Sequence, residues 1–250
     1  MSYIYGKFVW FEHVSNNLDA ARKFYAELFA WKSDGLPMGG QTYRMVQNGS
    51  DAIGGFRTAL AGVPSHWMGY LSVPDVDASA AAAQKAGAKV LMPPTDFGDM
   101  GRAASLADPQ GAAFSIWHGA QGDRTDAQPI AMGDWYWNEL MTSNANAALK
   151  FYEGVFGFTH DSKDMGPMGT YHILNKDGVG RAGLMKAPDA NMPTSWMPYV
   201  RVADCDAAAA KAKQLGAQIY KPATDIPNVG RFAVLADPAG AVFAIMRGDM

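Results

Sequence analysis

Apolar positions along the chain follow two alternating periods. Leu18, Ala21, Phe24, Tyr25, Leu28 and Phe29 recur at spacings of three and four, which predicts an amphipathic helix over 18–29. Asn17, just before it, is a plausible N-cap. Lys7 to His13 reads as a strand leading into this helix, and further strands are predicted near Thr42–Gln47 and Ala52–Thr58. The pattern then restarts. Trp67–Val73 reads as a strand, and Asp75–Ala86 as an alanine-rich helix capped by Asp75 and stopped by Gly87. Strands near Lys89, Arg102–Leu106 and Ala112–Trp117 complete the unit. The order strand, helix, strand, strand, strand thus occurs twice.

It then occurs twice again. "KFYAELFAW" from Lys23 matches "KFYEGVFGF" from Lys150, 127 positions later. "SHWMGYLSV" from Ser65 matches "TSWMPYVRV" from Thr194, and "DMGRAASLADP" from Asp99 matches "NVGRFAVLADP" from Asn228, both 129 positions later. Two residues therefore entered the second copy, and the loops around Lys163 to Lys176 are the expected place. The chain divides into homologous halves, 1–118 and 133–250, joined by a polar, turn-rich linker at 119–132, "GAQGDRTDAQPIAM". The expected class is α+β with four βαβββ units. One unit is too small to bury its own sheet face, so two units pair into a curved sheet with helices outside.

Composition narrows the field. Apolar residues are 48% of the chain, charged residues 18%, and the formal net charge is −3, which leaves no basic field for nucleic acid. The single cysteine, Cys205, forbids an internal disulfide and fits a reducing compartment. The first ten residues lack the apolar core of a signal peptide, and no run of about 18 apolar residues suggests a membrane span. The expectation is a soluble cytoplasmic protein.

"NNLDAARKFYAELFAW", "YLSVPDVDASAAAAQKAGAKV" and "LADPQGAAFSIW", with their second copies, give the chain its resemblance to a known family. It resembles the vicinal oxygen chelate superfamily of glyoxalases, extradiol dioxygenases and bleomycin-resistance proteins. The resemblance implies two glyoxalase-like domains, each cupping a cavity. In metal-dependent members it implies four His or Glu ligands on the concave face, holding Zn, Ni, Fe or Mn. Carried onto this chain, the first ligand position falls on Trp10 and Trp137. The second falls on Gly55 and Gly183, the third on Met68 and Met197, and the fourth on Ser115 and Ala244. None is His, Asp, Glu or Cys, so no metal and no other cofactor is expected.

Strand alternation places Phe8, Trp10 and Glu12 on the cavity face, with Trp135, Trp137 and Glu139 as their counterparts. Met68 brings His66 and Tyr70 to that face, Met197 brings Ser195 and Tyr199, and Ser115 brings Trp117. A mostly apolar lining with a few polar anchors suits a small, apolar or aromatic ligand. Glu12 and Glu139 have two readings: a general base or ligand anchor, or a structural carboxylate paired with a backbone amide or an arginine. His66 with Glu12 is the remaining pairing with metal-ligand chemistry. His13 falls on the convex side, Cys205 reads as a small buried residue, and Asp108 and Asp237 as turn formers. Arg102 and Arg231 guard the cavity mouth or make surface ion pairs. The leading expectation is metal-free small-molecule binding. A lyase, hydroxylase or dioxygenase acting on a small metabolite and a non-catalytic protein with filled cavities are the alternatives. The duplicated chain would be a monomer with pseudo-dimeric domains, or a homodimer that leaves both cavities unchanged.

Overall fold

The computed structural model describes residues 2–38 and 41–248, with side chains other than those at 36–38, 41 and 168; Met1 and Met250, the outer limits of the two halves, lie outside. The first half runs β1 (Phe8–Ser15), α1 (Leu18–Phe29), β2 (Lys32–Met38), β3 (Gln41–Asn48), β4 (Asp51–Thr58), β5 (His66–Ser72), α2 (Val76–Lys85), β6 (Lys89–Asp96), β7 (Gly101–Ala107) and β8 (Ala113–Gly119). The second half repeats it: β9 (Trp135–Thr142), α3 (Ala145–Phe156), β10 (Thr159–Asp164), β11 (Thr170–Lys176), β12 (Val179–Lys186), β13 (Ser195–Arg201), α4 (Cys205–Gln214), β14 (Gln218–Ile226), β15 (Gly230–Ala236) and β16 (Val242–Gly248).

Each half forms one eight-stranded mixed sheet. Their orders are β2-β3-β4-β1-β5-β8-β7-β6 and β10-β11-β12-β9-β13-β16-β15-β14, so the fold is α+β, with two βαβββ units in each half. The helices begin where local chemistry dictates. Asn17 accepts from the Ala20 amide, Asp75 from Ala78, Asn144 from Ala147 and Asp204 from Ala207, each satisfying an otherwise orphaned donor. Helix α1 buries Ala21, Phe24, Tyr25 and Leu28, the predicted stripe. Helix α3 ends on Gly157 at φ 65°, and its counterpart Ala30 takes φ 60°, a left-handed conformation that suits glycine better.

The strand register corrects the expected insertion sites. β4 and β12 are 128 positions apart, whereas β5 and β13 are 129 apart. One residue therefore entered between Phe158 and Tyr171, and the other between Lys186 and Ser195, beyond the predicted loops. β2 is the strand that hydrophobic patterning does not reveal. Its sequence, KSDGLPM, has neither apolar alternation nor β propensity, and it is held as an edge strand by antiparallel pairing with β3.

The sheets follow the sequence halves, but compact packing does not. One compact unit contains residues up to Val9, then Gly69–Asp126 and Trp137–Trp196. The other contains Trp10–Met68, Ala127–Tyr136 and the residues from Met197 onward. Each thus joins the first βαβββ unit of one half to the second βαβββ unit of the other. Within the first unit, Asp123 and Asp126 of the expected linker are anchored. Asp123 accepts from the Ile4 amide (2.7 Å) and the Ser72 hydroxyl (2.6 Å), and Asp126 pairs with Lys7 and Arg181. Among the described residues, no helix is long and apolar enough to cross a membrane.

Candidate functional site

The sheet faces turned away from α1 and α3 carry the same arrangement in both halves. In the parallel β1–β4 pair, Glu12 lies opposite Gly55; in the β9–β12 pair, Glu139 lies opposite Gly183. Both glutamates are buried, at 5% exposure. Two residues earlier, Trp10 donates its indole N–H to the Tyr43 hydroxyl (3.1 Å), and Trp137 donates to Tyr171 (2.9 Å). In the first half Arg57 donates Nε to Glu12. In the second half the Tyr171 hydroxyl hydrogen-bonds to Glu139. Burial, then the charge of Glu139, pushes the Tyr171 phenol well above its ordinary pKa, so the proton stays on the tyrosine.

The glycines make this arrangement possible. A Cβ on Gly55 would fall inside the van der Waals sphere of the Tyr43 hydroxyl; on Gly183 it would do the same to Tyr171 and stand 2.8 Å from the Trp137 indole nitrogen. Gly183→Ala therefore forces Tyr171 out of its hydrogen bonds. The expected cost is about 1–3 kcal/mol, as for overpacking elsewhere. Urea denaturation of Gly183→Ala, with Gly183→Ala/Tyr171→Ala as the relieving partner, checks this. An unchanged midpoint for the single variant would rule it out.

The remaining expected lining residues have varied surroundings. Met68 and Met197 are buried. Tyr70 pairs in register with Ser115 and meets Trp117 edge-on, with ring centroids 6.5 Å apart. Tyr199 lies in register with Ala244 and stacks near Phe232. Ser115 is fully buried and hydrogen-bonded to Ser105 at 2.9 Å. Phe8 and Trp135 differ from expectation, because both join helix-side aromatic clusters. Phe8 lies 4.8 Å from the Trp196 ring, and Trp135 lies 4.4–5.2 Å from Phe11, Trp31 and Trp67, with its indole N–H on the Ile53 carbonyl. Alternation gives the side of a strand but not what covers it. The chain changes packing unit just after each of these residues, at Val9 and Tyr136.

A metal does not fit these positions. Trp and Met provide no hard or borderline donor, the serine hydroxyl is engaged, and a tyrosine hydroxyl occupies the space that a side chain at Gly55 or Gly183 would need. Among the described residues, no group of three His, Cys, Asp or Glu is placed to hold an ion. His66 is close enough to Glu12 and Arg57 to feel both charges, but its Nδ1 is turned to the Pro64 carbonyl at 2.9 Å. Burial lowers its pKa and keeps it neutral. Cys205 is buried, and burial raises its thiol pKa to about 11, so it is not a thiolate nucleophile.

The helix side holds two buried polar clusters. Asp108 and Asp237 do form turns: one carboxylate oxygen of each accepts two backbone amides, from Gln110 and Ala112, and from Ala239 and Ala241. Each also has a long-range partner. The Tyr152 hydroxyl donates to Asp108 (3.1 Å) and accepts from Trp196. Tyr25 hydrogen-bonds to Asp237 and accepts from Trp67. His13, fully buried, reaches the same Asp237 at 2.6 Å. Arg102 and Arg231 make surface ion pairs, with Asp77 and Asp96 and with Asp206 and Asp225.

Tyr43, Arg57 and Tyr171 are the site residues that sequence reasoning did not single out. The repeated Thr-Tyr at 42–43 and 170–171 was the available signal. Fold and site together define a tandem βαβββ protein with a Trp–Tyr hydrogen bond and a buried glutamate on the helix-distal face of each half. The "Glyoxalase-like domain" family model matches residues 10–117, and the model for the "Glyoxalase/Bleomycin resistance protein/Dioxygenase superfamily" matches 136–245. The chain is 37% identical over 246 residues to CFP32 of Mycobacterium tuberculosis, a glyoxylase by name, covering 95% of this chain and 93% of the relative. Over 259 residues it is 29% identical to the anthracycline biosynthesis protein DnrV of Streptomyces peucetius, covering 95% and 91%. The Mn(II)-bound glyoxalase from Novosphingobium aromaticivorans has the same fold, with a TM-score of 0.67 at 19% identity, covering 99% of this chain and 83% of that one. The chain belongs to the glyoxalase/bleomycin resistance/dioxygenase superfamily.

Proposed function

We propose that this protein binds small, largely apolar or aromatic molecules on the helix-distal face of each half, without a metal. One observation carries the reading: the same Trp–Tyr hydrogen bond and buried glutamate are built over a glycine in both halves. The helix-side clusters Trp67–Tyr25–Asp237 and Trp196–Tyr152–Asp108 use the same Trp–Tyr–carboxylate chemistry with the indole buried, whereas on this face the indole keeps solvent access. Trp10 and Trp137 remain half-exposed and offer an aromatic surface beside polar anchors.

Calorimetric titration with an uncharged aromatic amide, 2-naphthamide, tests the reading. The expected result is saturable binding that Trp10→Ala and Trp137→Ala each weaken at least tenfold at one site, while both variants melt cooperatively. Native mass spectrometry of the purified protein would also report a co-purified small molecule. Absence of saturable binding by the folded wild-type protein would overturn the reading and leave both faces as filled structure.

A further inference from the structure

The two faces share the Trp–Tyr hydrogen bond, the buried glutamate and the glycine opposite it, but they differ at a position beside that arrangement. Arg57, two residues after Gly55, is opposite Val14 in β1; Met185, two residues after Gly183, is opposite Met141 in β9. So the strand position that holds a guanidinium in the first half holds a thioether in the second.

Arg57 is also held in a particular way. It meets the Glu12 carboxylate through Nε, and its two terminal nitrogens lie at the other edge of the guanidinium. The Glu12 side chain is 6% exposed and the Arg57 side chain 39%. The buried carboxylate thus orients, through Nε, a cation whose side chain keeps solvent access. The guanidinium edge away from Glu12 presents two parallel N–H donors, the geometry that matches a carboxylate. Trp10, hydrogen-bonded to Tyr43 and partly exposed, supplies apolar surface on the same strand face. The neutral His66 nearby adds no competing positive charge.

We infer that the first-half face is a carboxylate site. It takes an apolar or aromatic molecule bearing one carboxylate, gripped end-on by Arg57, and the second-half face does not. Glu12 is then a positioning residue, not a base. It fixes the guanidinium and offsets part of its charge, which favours a ligand whose apolar body contributes much of the affinity. Glu139, hydrogen-bonded to Tyr171 and with Met185 at the strand position that Arg57 holds in the first half, supports an uncharged ligand only. This inference rests on the ligand-binding reading above and assigns a ligand class to one of its two faces.

The test compares 2-naphthoate with 2-naphthamide, which share size and shape but differ in charge, by calorimetry on the full chain. Wild-type protein is expected to bind one equivalent of 2-naphthoate at least tenfold more tightly than the amide. Arg57→Met, which copies the second half, should abolish that preference while leaving amide binding intact. Because this variant removes the ion-pair partner of the buried Glu12, Glu12→Gln/Arg57→Met is measured beside it and should behave the same way. Arg57→Lys should keep only part of the preference, since an ammonium lacks the fork. Equal affinities in the wild type, two tight 2-naphthoate equivalents, or a preference surviving loss of Arg57 would each overturn the inference. Amide binding without carboxylate preference defeats this inference alone, whereas binding of neither probe defeats the ligand-binding reading with it.

Discussion

Asp237→Ala is expected to cost about 3–5 kcal/mol, the range for removing one partner of a buried charged network. The Asp237 side chain has no solvent exposure. Its loss leaves the His13 imidazole, the Tyr25 hydroxyl and the amides of Ala239 and Ala241 without their acceptor. Each unsatisfied buried group costs about 1–3 kcal/mol, and relaxation recovers only part of that sum. Asp108→Ala should cost less, because Leu140 stands where His13 stands and only Tyr152 and two amides lose an acceptor. His13→Leu copies that second cluster and should stay within about 1.5 kcal/mol of wild type, as a substitution with a precedent in the same chain. Urea unfolding at constant slope measures all three. An Asp237→Ala midpoint matching wild type would show that the cluster does not stabilise the fold.

Alkali should unfold this protein steeply. Tyr25, Tyr152 and Tyr171 have pKa values well above the ordinary 10, chiefly through burial and then through the neighbouring charges of Asp237, Asp108 and Glu139. The sign follows from proton binding. Above pH 10 the unfolded chain releases these protons and the folded chain keeps them, so the free energy of unfolding falls as pH rises. The stabilising contribution is complete below pH 10 and is lost as pH climbs towards the folded-state values. Each tyrosine contributes about 1.4 kcal/mol per pH unit, and the three together about 4. Melting temperature is expected to drop sharply above pH 10, with tyrosinate absorbance at 295 nm lagging until the fold is lost. Tyr25→Phe should reduce the slope by about one third. Full tyrosinate absorbance in a still-folded protein would contradict the assignment.

Local physics was legible in the sequence, and long-range partnership was not. Helix 18–29 and its Asn17 cap follow from spacing and one side chain, and both stand as expected. The duplication was legible because it is a property of the string itself. Strand β2 was hidden, since its pairing with β3, not its own residues, makes it a strand. Trp10, Glu12 and their counterparts were visible as recurrences on one face. The tyrosines that complete the arrangement come from a strand about 30 residues away and touch through space. Asp108 and Asp237 were readable as turns because that role is local. Their second role depends on tyrosines from the opposite half, which no spacing within one copy reveals.

The crossed composition of the compact units also sets an order of events during synthesis. The unit that begins with Trp10–Met68 is completed by residues from Met197 onward, so 180 residues separate Met68 from Gly248, the end of the last strand. At ribosomal rates of about 5–20 residues per second, the aromatic side of the first module waits on the order of 10–40 s for its partner. During that wait Phe24 lacks Phe243, and Tyr25 lacks both Phe243 and Asp237, so aromatic surface that the finished unit buries is left uncovered. Duplication within one polypeptide supplies both modules in equal number, and it does so at the expense of a long exposed interval.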